Sequence, residues 1–244
     1  RLIVLLSGFY YFCTQRIYFS LMKLDILAFG AHPDDVELSS AGTLIVHIQK
    51  GYKCGIVDLT RGELGTRGSA EMRDEEARQA SEIMGIHTRE NLNMEDGFFL
   101  NDKINQMKVV SVIRKYQPEI VLCNAITDRH PDHSRAAALI SIAIFLAGLS
   151  KVKSMAGNIP QERWKVKSHY QYIQDRYIKP DFAVDITSAW ERKMQTIRAF
   201  STQFYNPSST EPDTEISGKD FIDFLTGRAR EIGRPLGIEY AEGF

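Results

Sequence analysis

A chain of 244 residues with 43% apolar and 25% charged side chains is long enough to bury one substantial core and too apolar to stay disordered. Its formal net charge of −1 gives no electrostatic reason to expect nucleic acid or an anionic membrane as a partner. Three cysteines (Cys13, Cys54 and Cys123) show no metal-type spacing and leave no even set for a disulfide framework, so a reduced compartment is expected.

Residues 1–21 differ from the rest. Their apolar runs, residues 2–6 and 9–12, are well short of the roughly 18 residues that span a bilayer. Only Arg1 precedes them and no small-residue cleavage pattern follows, so they read as a non-catalytic N-terminal extension, an upstream start in preference to a signal. A cytoplasmic location follows, with export left open by that segment. The functional domain is expected over residues 22–244.

An apolar run interrupted only by Asp25 predicts the first strand over residues 24–29. Leu38, Ala41, Ile45 and Ile48 recur at helical spacing over 38–50, and Gly51 stops that helix. Between the two lies AHPDDVE (31–37), a sharp turn carrying His32, Asp34 and Asp35. A buried strand is expected over 53–59, then the glycine-bearing loop TRGELGTRGS (60–69), whose Ser69 suits the N-cap of a helix over 70–84 ended by Gly85. A weak strand over 87–93 and a turn over 94–97 precede a helix over 103–116, which stops ahead of Pro118. The fourth strand (119–124) leads to DRHPDH (128–133) and a largely apolar helix over 133–149.

Further on, strands are expected over 169–173 and 182–186, an amphipathic helix over 187–200, a mobile polar loop over 206–218 and a last helix over 219–231. Alternating strands and helices with short connections predict an α/β fold: a Rossmann-like, mostly parallel sheet flanked by helices, in a single domain. No G-x-G-x-x-G follows the first strand, so the first loop is expected to hold a metal in place of a pyrophosphate.

Either histidine motif alone is an ordinary polar turn. Two of them, each after a separate hydrophobic strand, point to one metal centre. His32, Asp35 and His133 make the three-ligand set of a catalytic zinc that keeps a position for water, with iron(II) as an alternative occupant. Asp34, beside a ligand but badly placed to share its ion, is free to act as general base. His130 is placed to stabilise a tetrahedral oxyanion or to protonate a departing amine, and Asp132 is expected to hold its imidazolium form by a hydrogen bond. Arg73, one turn after the glycine loop, has the reach to meet a substrate carboxylate or phosphate. Glu63 in that loop and Asp96 in the following turn are further candidate substrate contacts, Asp96 as an acceptor for sugar hydroxyls. His47 and His87 read as structural.

These residues resemble the LmbE-like deacetylase family, which includes the PIG-L N-acetylglucosaminyl-phosphatidylinositol de-N-acetylase and the mycothiol-pathway deacetylase. The family mark is A-H-P-D-D-E after the first strand with H-x-D-H or H-P-D-H before a later helix; here Val36 stands before Glu37. The segments TRGELGTRG, EMRDEEA, DRHPDH and YAEGF are similar to the bacillithiol-biosynthesis branch, whose members deacetylate N-acetylglucosaminyl malate. The resemblance implies zinc on His32, Asp35 and His133, Asp34 as the base, and His130, oriented by Asp132, at the oxyanion. It implies Arg73 and Asp96 on the substrate, and Tyr240 and Glu242 lining the same pocket, in this subunit or a neighbour's. Relatives form hexamers, so a homo-oligomer acting on a small acetamido-sugar is expected, with no membrane partner. Deacetylation of another acetamido sugar such as diacetylchitobiose, cleavage of a conjugate amide, and a non-enzymatic sugar-binding domain are the alternatives. The first 21 residues have no counterpart in the family.

Overall fold

The strand β1 (Ile26–Gly30) is buried along its whole length, and the alternation of its side chains shows why. Leu27 and Phe29 point into one apolar core with Val109, Val110 and Ile113, while Ile26 and Ala28 point into a second with Leu44 and Ile45. A strand packed on both faces reads as a continuous apolar run, as a parallel sheet under two helix layers requires. Asp25, the one polar interruption, lies just before β1 and accepts a hydrogen bond from the Lys53 amide at 2.7 Å. The computed structural model describes residues 22–244; the extension expected over residues 1–21 lies outside the described residues.

The elements that follow are α1 (Asp35–Gln49), β2 (Cys54–Asp58), α2 (Ala70–Met84), β3 (Thr88–Asn91), α3 (Lys103–Tyr116), β4 (Ile120–Cys123) and α4 (Pro131–Ala147). A small hairpin, β5 (Met155–Ala156) and β6 (Ile159–Pro160), then leads to β7 (Ser168–Gln171). The central sheet has the order β3-β2-β1-β4-β7, and each of its pairings is parallel. This is the expected Rossmann-like α/β sheet. Helix signals are where the caps demand: Ser69 and Asp102 accept from the amides of Met72 and Asn105, and Gly85 closes α2 with φ 78°. α3 ends at Tyr116, with Gln117 as its C-cap directly ahead of Pro118.

The C-terminal third packs over α1. Strand β8 (Ala183–Asp185) does not join the main sheet but pairs antiparallel with β9 (Ala241–Gly243), with α5 (Trp190–Arg198) and α6 (Lys219–Gly233) between them in the chain. No strand was expected at the C-terminus, because its partner lies some sixty residues upstream. Gly42 allows this layer to approach α1, since a Cβ there would lie 2.7 Å from Cβ of Ile186. Residues 206–218, expected to be a mobile loop, contain neither helix nor strand yet wrap the buried Arg67, which donates to the Pro212 carbonyl at 2.6 Å and to Asp213 Oδ1 at 3.0 Å.

Glu242 anchors β9. Its carboxylate accepts from the amides of Gly42 and Thr43 at 2.9 and 2.7 Å and from Lys193 Nζ at 2.5 Å. Both side chains of the ion pair are about 95% buried, at 5% and 4% exposure. Removing one partner of a buried pair strands the other charge. Glu242→Ala is therefore expected to lower stability by about 3–5 kcal/mol, read as a lower urea midpoint at unchanged slope.

Candidate active site

The strand order reverses at β1: β2 and β3 lie on one side, β4 and β7 on the other. The crevice outside the carboxyl ends of β1 and β4 is thus the switch point, where open α/β sheets bind ligands. Both histidine motifs meet there, each as the start of a helix. α1 begins at Asp35 and not at residue 38, and α4 at Pro131 and not at 133, so the motif residues occupy first turns.

Asp35 joins the two motifs. Its Oδ1 is 3.0 Å from His133 Nε2, and its Oδ2 is 3.7 Å from His32 Nδ1. The rings of His32 and His133 are 5.7 Å apart, and that of His130 lies 4.7 and 5.2 Å from them. Ligand nitrogens of His32, His130 and His133 lie within 4.8 Å of one another. Two of these imidazoles have a nitrogen on a carboxylate: His32 Nε2 is 2.9 Å from Asp96 Oδ1, and His133 Nδ1 is 2.5 Å from Asp128 Oδ2. Asp35 also accepts from Asn124 Nδ2 at 3.0 Å and from Gln174 Nε2 at 2.9 Å. Burial opposes charge on both imidazoles, yet the surrounding carboxylates outweigh it and hold His32 at about 10 and His133 at about 9. Burial would raise Asp35, but His133 and His32 keep it well below the usual carboxylate range.

Asp34 takes φ 121° at the N-cap of α1, a conformation that strains any residue with a side chain. Its carboxylate is buried beside Asp35; burial pushes it up to about 7 against the pull of Arg73. Arg73 Nη2 lies 3.7 Å from Asp34 Oδ2 and donates to Gln203 Oε1. The glycine loop makes room for this arginine. Gly62 has φ 64°, and a Cβ there would fall 2.1 Å from Arg73 Nη1.

Several expected roles differ in the structure. The Asp132 carboxylate does not hold the His130 ring. It accepts from the Gly97 amide at 2.9 Å and from Arg135, and lies 3.4 Å from His32 Nε2. The reason is the earlier helix start: His130 is the N-cap of α4, and its Nδ1 accepts from the Asp132 amide at 3.2 Å. Burial, then the charges of His32 and His133, push His130 down from its ordinary value, not up. Asp96, expected on sugar hydroxyls, has one oxygen on His32 and the other on the Leu64 amide at 2.9 Å. Glu63 braces the same turn by accepting from the amides of Asp96 and Arg61 at 2.9 and 3.1 Å. Tyr240 stacks on Trp190, centroids 4.2 Å apart, and Glu242 lines the cleft with its carboxylate already engaged by α1 and Lys193. Asp128 was visible only as part of DRHPDH, and Asn124 and Gln174 carried no signal because amides after strands are common in turns. The cleft holds about 360 Å³ and runs from the two motifs to an apolar wall of α6 formed by Phe221, Phe224 and Leu225.

The model of the GlcNAc-PI de-N-acetylase family, PIG-L, matches residues 27–144. A diacetylchitobiose deacetylase of Thermococcus kodakarensis is 29% identical over 231 residues, covering 89% of this chain and 81% of that protein. A 4-oxalmesaconate hydratase of Pseudomonas putida is 28% identical over 207 residues, 78% of each chain. The solved structure of a conserved protein from Thermus thermophilus superposes with a TM-score of 0.80 at 32% identity, covering 91% of this chain and 93% of that one.

PIG-L deacetylases are metal-dependent, and the donor chemistry here suits a divalent cation. Ligand atoms cluster as His32, His130 and His133 and as His32, Asp96 and Asp132, Asp35 lies against His32 and His133, and the carboxylates of Asp35, Asp96, Asp128 and Asp132 stabilise positive charge at the centre. Carboxylates that orient ligand histidines typically set metal affinity within 10- to 100-fold. Asp96→Asn and Asp128→Asn are each expected to weaken metal binding by roughly that factor, measured by chelator competition on purified protein. Unchanged affinity with a raised KM in Asp96→Asn would return that residue to the sugar.

Proposed function

This chain belongs to the PIG-L/LmbE-like deacetylase family, and on that premise we propose that it is a zinc-dependent hydrolase that removes the N-acetyl group from an N-acetylglucosamine conjugate, with N-acetylglucosaminyl malate the favoured substrate. The observation that carries the reading is Asp34, a buried carboxylate at φ 121° next to the candidate donors, whose side chain caps no amide and has Arg73 at 3.7 Å. A merely metal-stabilised binding domain has no use for such a group.

In this reading His32, Asp35 and His133 hold the cation, which when bound supplies Lewis acidity toward water and the acetyl carbonyl. Asp34 takes the proton of the attacking water. Arg73 fixes the Asp34 carboxylate and keeps its charge tolerable in a buried site. His130, whose Nδ1 already accepts from the α4 backbone, turns its other nitrogen to the charge that develops on the carbonyl oxygen. The proton gathered by Asp34 then leaves on the amine, so acetate and the glucosamine conjugate depart in balance. The buried thiols of Cys54 and Cys123 support a reduced, cytoplasmic setting, and no helix of the described residues is long and apolar enough to cross a membrane. Assembly as a hexamer rests on the bacillithiol-branch resemblance alone.

Asp34→Asn, a side chain that tolerates positive φ, is expected to keep its metal by elemental analysis yet lose turnover by roughly 10²- to 10⁴-fold. Full activity in that variant would remove Asp34 from the chemistry. Amine release from a panel of acetylated sugars identifies the substrate, and a preference for diacetylchitobiose over the malate glycoside would shift the assignment to that alternative.

A further inference from the structure

We propose that the aglycone of the substrate is anionic and that Arg129 and Arg228, not Arg73, receive it; the inference rests on the deacetylase reading above. The cleft is lined by four permanently or normally cationic side chains: Arg73, Arg129, Lys193 and Arg228. Two of them are already committed. Arg73 is buried against Asp34 and Gln203, and Lys193 Nζ binds Glu242 at 2.5 Å and the Leu38 carbonyl at 2.8 Å. An anion arriving from solvent would have to displace an internal partner to reach either.

Arg129 and Arg228 are in a different state. The Arg129 side chain is 46% exposed, and its Nε is 3.4 Å from Asp175 Oδ2. Arg228 donates to the main-chain carbonyl of the same residue, Asp175, so the two guanidiniums are brought together at one point of the cleft. Among the described residues Asp175 is the one carboxylate within 4.0 Å of Arg129, and none lies that close to Arg228. Arg129 thus has one partly exposed carboxylate beside it and Arg228 has none within 4.0 Å, so direct ion pairing does not neutralise the pair. The Arg228 guanidinium also lies 4.4 Å from the centroid of the Phe224 ring, a cation–π contact that helps hold it at the cleft wall. Planar guanidinium forks match carboxylate geometry bidentately, which favours a carboxylate over a neutral polar group.

The position agrees with the chemistry. Arg129 directly precedes His130, and Gln174, directly before Asp175, holds Asp35. Arg129 therefore lies on the loop that leads to His133, and Arg228 reaches the same place from α6, through the carbonyl of Asp175 on the loop after β7. The assignment puts the aglycone of a sugar whose acetamido group meets the donors beside this pair, next to the apolar wall of α6. Arg73 remains behind the base.

The test compares kcat/KM of the metal-loaded enzyme for N-acetylglucosaminyl malate and for neutral methyl N-acetylglucosaminide. The wild type is expected to favour the anionic glycoside, and added salt to reduce that preference. Arg129→Gln and Arg228→Gln are each expected to lower the anionic-to-neutral ratio by roughly 10- to 100-fold, with Arg228→Lys restoring part of it; the ratio is internally controlled against partial misfolding. A ratio unchanged in both variants, or one that falls only in Arg73→Gln, overturns the assignment. Equal hydrolysis of the two glycosides by the wild type overturns the anion subsite while leaving the deacetylase reading intact. Hydrolysis of neither overturns both.

Discussion

The carboxylate of Asp35 is buried at the switch point of the sheet and is gripped by four partners. The His32 amide follows β1, Asn124 follows β4, Gln174 follows β7, and His133 comes from the first turn of α4. A carboxylate so far from water is tolerable only where each oxygen is satisfied. The same bonds therefore stabilise the ion and set the distance between the two histidine motifs. Asn124 Oδ1 also accepts from the Ala31 amide at 3.0 Å, and Gln174 Oε1 from the Ala125 amide at 3.0 Å. The amide pair stitches the strand ends together before any ligand arrives, which is the preorganisation that a metal centre and a developing oxyanion both need.

Behind this centre a second buried charge system supports α1 from the opposite side. Arg89 on β3 bridges Asp58 at the end of β2, at 2.7 and 3.0 Å, and Glu37 in the first turn of α1, at 2.6 Å. Glu37 is the glutamate of the first motif, and the bridge explains its presence there without any contact to substrate. It also braces the helix start that carries the strained Asp34. Backbone strain of this kind persists only where the surroundings over-determine it. Here the cap residue is fixed between a helix pinned by Arg89 and a carboxylate neighbour pinned by amides.

The sheet, its parallel order and the convergence of the two motifs were legible in the sequence, because they follow from apolar runs of strand length and from turns that interrupt them. The helix starts were less so. Polar residues at the first turn look like loop, and α1 and α4 each begin two or three residues before their apolar periodicity does. That small offset decided which carboxylate serves which imidazole. With α4 beginning at Pro131, Asp132 turns toward His32 and Arg135, and Asp128, outside the helix, takes His133. Tyr240, Glu242 and Glu63 were legible as polar or aromatic residues near motifs, but their partners, Trp190, Lys193 and the Asp96 amide, are set by long-range packing that no local pattern encodes.

A fold of this kind does not by itself choose a reaction, and relatives of this chain carry names for deacetylation and for hydration alike. The choice must lie in groups that do not hold the sheet together. Asp35, Asn124 and Gln174 serve the scaffold as much as the site. The Asp34 side chain caps no amide of α1, and the half-exposed Arg129 serves no buried partner. Side chains kept in strained or charged positions without a structural return are where chemistry and selectivity are written. In this protein Asp34 stands beside the candidate metal donors and Arg129 and Arg228 line the same cleft, so in the proposed reading reaction type and aglycone choice fall to separate residues.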